Sequence, residues 1–144
     1  MKRILSSIII LFLISIKNIN SSEIIIWKED ADSMSLDIYS VQKIFTKKIN
    51  RWPNGRNISV FIKPMNSVEH RQFVIKVLQM TPYGYKEQLE RQTYSGKASS
   101  VVEVSTDNEM ILKVENNVGA VGYLDYQLYA GNKKIIIIDP QQLL

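Results

Sequence analysis

Five short runs rich in β-branched residues punctuate the chain, and segments of helical period separate the first four of them. The runs fall at residues 23–27, 58–62, 101–104, within 117–124, and at 134–138. Each is too short for a helix and apolar enough for a buried strand. Strands alternating with helices imply an α/β fold, in which a mixed or mostly parallel sheet carries helices on both faces. At 144 residues there is material for one such domain.

The intervening segments carry their own start and stop signals. Ser35 is placed to cap a helix whose inward stripe is Ile38, Val41 and Phe45. That helix ends near Lys47 and Lys48, where positive charge suits the negative end of the dipole. Arg51-Trp52-Pro53-Asn54-Gly55 is turn chemistry, with Trp52 set to plug the helix end against the sheet. Asn66 or Ser67 caps a second helix with the stripe Phe73, Val74, Val77 and Leu78. Thr81-Pro82 opens a third, with proline at its first helical position and Tyr85 and Leu89 inward. Ser95-Gly96-Lys97 breaks it. Thr106-Asp107-Asn108-Glu109 reads as a capping box for a fourth helix that turns Met110, Ile111 and Val114 inward. Gly119 and Gly122 supply a tight turn and close backbone approach where the next strand begins.

Ahead of this domain, residues 1–22 read as a signal peptide. Lys2 and Arg3 form a positive start, and the apolar run from Ile8 to Ile16 is broken by Lys17 before it reaches the roughly 20 residues a span needs. Ser21 and Ser22 offer a cleavage point. The expectation is an exported, periplasmic domain at residues 23–144 that meets the membrane only through its targeting segment. Three of the charges behind the net +4 sit on Lys2, Arg3 and Lys17, which leaves +1 on the domain. So small a charge, without aromatics interleaved among Lys and Arg, argues against nucleic acid as a partner.

Chemistry-bearing motifs are scarce. The chain has no cysteine, which excludes a disulfide scaffold, a thiolate metal site and a cysteine nucleophile. No G-x-S-x-G, H-E-x-x-H, P-loop or G-x-G-x-x-G occurs. His70 is the one histidine, so a histidine-rich metal site cannot form. Its place in the first turn of a helix disfavours an imidazolium there, and it reads as a surface or half-buried side chain. Asp30 and Asp32 read as a solvated acidic turn. No catalytic residue, metal or cofactor is expected, and the chain does not read as an enzyme.

In order along the chain, several segments resemble a known family. They are Ser35-Leu36 through Lys43-Ile44-Phe45, Lys48-Ile49-Asn50-Arg51-Trp52-Pro53-Asn54-Gly55, Asn66-Ser67 with Arg71 and Phe73, Tyr94-Ser95-Gly96-Lys97, and Val118-Gly119-Ala120-Val121-Gly122-Tyr123-Leu124. Together they are similar to the periplasmic phosphate-binding proteins of ABC transporters, above all to short single-domain relatives in the type 2 periplasmic binding protein superfamily. The resemblance covers residues 24–126.

It implies a solute-binding protein in which a serine hydroxyl and exposed helix amides hold an oxyanion beside a basic clamp. By that resemblance Lys63 stands at the family's arginine, Ser67 at its serine, Val68 at its glycine and Glu69 at its threonine. The short relatives carry an arginine where Arg71 stands. Lys63, Asn66, Ser67 and Arg71 are therefore the expected contacts for a small oxyanion such as phosphate, bound for transport or sensing. This chain departs from the pattern in three ways. Lysine lacks the planar fork of arginine, valine restricts backbone approach, and Glu69 brings a carboxylate beside the amides. Its length also supplies about one lobe where full solute-binding proteins close two. The alternative is an interaction module that kept the fold, lost the ligand and serves a protein partner in the cell envelope.

Overall fold

A computed structural model describes residues 23–27, 36–96, 101–125 and 134–138. Its elements in chain order are β1 (Glu23–Trp27), α1 (Ile38–Phe45), β2 (Ser59–Ile62), α2 (Val68–Lys76), α3 (Pro82–Tyr94), β3 (Val101–Glu103), α4 (Asp107–Asn116), β4 (Ala120–Asp125) and β5 (Lys134–Ile138). The leader at 1–22, the acidic turn and Ser35 lie outside the described residues. The helix expected from a Ser35 cap begins instead after Asp37, whose carboxylate accepts from the Ser40 amide at 2.7 Å. Ser67, Thr81 and Thr106 cap α2, α3 and α4 by the same bond.

The five strands form one sheet in the order β3-β2-β4-β1-β5. β2 runs parallel to β3 and β4, whereas β1 is antiparallel to both β4 and β5. β1 alone therefore opposes the other four, and the sheet is mixed. Strict two-residue alternation sorts the side chains of β2 and β4 into two cores. Val60, Ile62, Val121 and Tyr123 join Ile25 on the face covered by α1, α2 and α3. Phe61, Ala120 and Leu124 face α4, through Met110 and Val114. Helices thus cover both faces, as the pattern of runs and stripes implied.

Two contacts tie the loops to this sheet. Trp52 is buried, and its indole Nε1 donates to the Gly119 carbonyl at 3.0 Å. The Ser59 amide donates to the same oxygen at 3.2 Å, so the turn before β2 and the turn before β4 are locked together. On the larger core face, Tyr123 and Phe73 stack with centroids 3.7 Å apart, and Phe45 meets both rings edge-on. Aromatic pairs of this kind add about 1 kcal/mol each beyond the area they bury.

Candidate functional site

The parallel strands β2, β3 and β4 all end at one edge of the sheet. There β2 feeds α2 through residues 63–67, and β3 feeds α4 through residues 104–106. From β2 the chain moves outward to β3, whereas from β4 it moves to β5 on the other side. The topological switch point therefore lies between β2 and β4, and ligands of open α/β sheets usually bind outside the carboxyl ends of the strands at such a point. Both helices that start here leave early amides without intrahelical partners. In α2 the Ser67 hydroxyl caps the His70 amide at 3.1 Å, leaving those of Val68 and Glu69. In α4 the Thr106 hydroxyl caps the Glu109 amide at 3.1 Å, and Glu109 returns to the Ser105 amide at 2.8 Å. The box closes one residue earlier than its usual form, on Ser105 in place of Thr106.

Lys63 is the cation of this edge. It directly follows β2, and the alternation that points Phe61 toward α4 points Lys63 the same way. Its side chain is only 9% exposed and is ion-paired with the carboxylate of Asp107, the first residue of α4, which is 38% exposed. The Asp107 charge also suits the positive end of the α4 dipole, where an unpaired lysine would be repelled. The ammonium is therefore held at this edge of the sheet by a partner more exposed than itself.

Behind it lies a second polar group. The Lys63 amide donates to the Tyr123 hydroxyl oxygen at 2.9 Å, and the same hydroxyl lies 2.7 Å from His70 Nδ1. The tautomer of the imidazole sets which of the two groups donates in that bond. Burial pushes the His70 pKa down to about 4, which favours the neutral imidazole. The expectation of a surface or half-buried histidine is corrected: His70 is 1% exposed. It is buried because α2 presses its first turn, together with Phe73 and Val74, onto the sheet.

Of the residues expected to act together, Ser67 is half-buried, Asn66 and Arg71 are exposed, and Lys63 is buried. The bond between two of them, from the Arg71 amide to the Ser67 carbonyl at 3.1 Å, is an ordinary helix bond. Glu69 is exposed. Asp107 escaped the sequence reading as a site residue because its capping-box position already explained it. The parity of β2 was the available signal, since Lys63 two residues after Phe61 must face α4. A separate groove of about 360 Å³ is lined by Ile62, Met65, Leu89 and Val101, with Glu90, Glu103 and Lys86 among its polar groups. Two carboxylates against one lysine make it a poor receptacle for an anion.

No protein-family model and no curated protein matches the chain. Solved structures do. An ABC-type phosphate transport receptor from Vibrio cholerae superposes with a TM-score of 0.61 at 15% identity, over 80% of this chain and 45% of that one. A phosphate ABC transporter substrate-binding protein with bound phosphate from Clostridium perfringens gives 0.59 at 15% identity, over 76% and 41%. PstS from Borrelia burgdorferi gives 0.55 at 17% identity, over 73% and 40%. The chain therefore has the fold found in such receptors, and it spans less than half the length of each. Among the described residues no helix is long and apolar enough to cross a membrane.

Proposed function

We propose that this chain is an exported, receptor-like lobe that binds a small phosphate-like oxyanion for transport or sensing. The ligand lies at the edge of the sheet where β2 ends, with Lys63, Asn66, Ser67 and Arg71 as its contacts. One observation carries the reading: a buried lysine at the carboxyl end of β2 already holds the more exposed carboxylate of Asp107, at the start of α4. A group that accepts one oxyanion in that position is chemically suited to another, and the amides of Val68 and Glu69 add donors and a positive dipole end. The fold shared with phosphate receptors, one of them described with bound phosphate, supports the same reading.

A single open lobe leaves the anion partly hydrated, so affinity is expected near a Kd of about 1 mM. Titration calorimetry of residues 23–144 with phosphate and with sulfate tests this. Lys63→Met is expected to weaken phosphate binding by about tenfold or more, and Ser67→Ala by less. A folded protein giving no heat at millimolar phosphate or sulfate overturns the proposal. Capture of an envelope protein that survives both Lys63→Ala and Ser67→Ala would favour the adaptor reading in its place.

A further inference from the structure

We infer that the Asp107 carboxylate is a tethered stand-in for the ligand, which an incoming oxyanion must displace from Lys63. This rests on the oxyanion reading above and names the residue that sets its affinity.

The two members of the pair are not equivalent. The Lys63 side chain is 9% exposed, and its backbone is anchored at the end of β2 with the amide bonded to the Tyr123 hydroxyl. Asp107 is 38% exposed, sits on the first turn of α4, and is the more accessible member of the pair. Rotation of one short side chain therefore frees Nζ. That rotation costs α4 little of its start, since the Thr106 cap and the Glu109 return bond do not involve the Asp107 side chain. The tether gives the carboxylate a high effective concentration at Lys63, so a free anion competes against it at a disadvantage. Asp107 thus keeps the buried cation satisfied when no ligand is present, and it weakens binding when ligand arrives.

Asp107→Asn removes the charge and keeps the shape. Two results are expected. The variant should melt lower than wild type, because a buried lysine loses its counter-ion, and phosphate should restore the melt more than sodium chloride at equal ionic strength. The phosphate Kd should also fall by about tenfold or more relative to wild type. Failure of both rescue and tightening, in a protein whose wild type does bind phosphate, overturns the inference and leaves the oxyanion reading standing. Silence of both proteins toward phosphate overturns the two together. The wild type provides an independent measurement should the variant not fold. The Asp107 ¹³Cγ resonance should move on saturation with phosphate, as the carboxylate leaves the ammonium. A resonance that stays in place overturns the inference.

Discussion

A Cβ on Gly119 would lie 2.8 Å from the Asn57 carbonyl oxygen and 2.9 Å from Arg56 Cδ, and the backbone there has a φ of +86°. Both the space and the dihedral demand glycine, so Gly119→Ala is expected to destabilise by about 2 kcal/mol or more, read as a lower urea midpoint. Trp52→Phe loses the indole bond to the Gly119 carbonyl, which keeps the Ser59 amide, together with part of a buried ring, and should cost about 2 kcal/mol. His70 gives a pH signature. Its pKa is about 4 in the fold against an ordinary 6.5, so between those values the unfolded chain binds the proton that the folded chain refuses. Stability should then fall as pH drops from 6.5 toward 4, by an amount approaching about 3 kcal/mol, and this contribution should be absent above that window. His70→Asn keeps a hydrogen-bonding partner for Tyr123 and cannot titrate. Urea titrations at pH 7 and pH 5 should show a smaller loss for the variant, and equal losses would exclude His70 as the cause.

At the scale of elements, the contact between β4 and α4 depends on a missing side chain. A Cβ on Gly122 would fall well inside van der Waals contact distance of Met110 Sδ and lie 3.2 Å from Val114 Cγ2. Gly122→Ala should cost about 1 kcal/mol, because the flexible methionine can move aside while the branched valine cannot. Combining it with Met110→Ala should be less destabilising than the sum of the two singles, since the smaller residue frees the same space. Most of these elements were legible in the sequence for identifiable reasons. Thr81-Pro82 and Thr106 to Glu109 announce helix starts through hydroxyl caps, and the isoleucines of β5 announce a strand. The start of α1 was misread because Ser35 and Asp37 are both good caps, and only the fold decides which one the stripe of Val41, Ile44 and Phe45 selects. The candidate site was half legible. Lys63 and Ser67 stood out by type and spacing, whereas the Asp107 partner comes from 44 positions further on and is set by strand order, which local periodicity does not encode.

For the whole molecule, strand order decides where stability is concentrated. β4 is flanked by β2 and β1, lies under α4, and its residues 120–124 are all buried. β3 is an edge strand of three residues, with Val102 and Glu103 exposed. β1 belongs to the sheet only through partners about a hundred positions away, Glu23 pairing with Asp125 and with Ile138. Such pairs form late because loop closure must precede them, so folding should be slower than for a helical domain of this size. The same arrangement implies that β4 cannot open without dissolving both cores, while β3 can detach from β2 and expose little. Native-state hydrogen exchange should therefore give the amides of β4 the free energy of global unfolding and those of β3 a value several kcal/mol lower. Since Lys63 and Ser67 hang from β2, and Asp107 follows β3, opening of that edge would loosen the ion pair before the core is lost. A bound oxyanion would resist this opening, so saturating phosphate should slow exchange in β3 more than in β4. Equal slowing in both strands would place the ligand away from this edge.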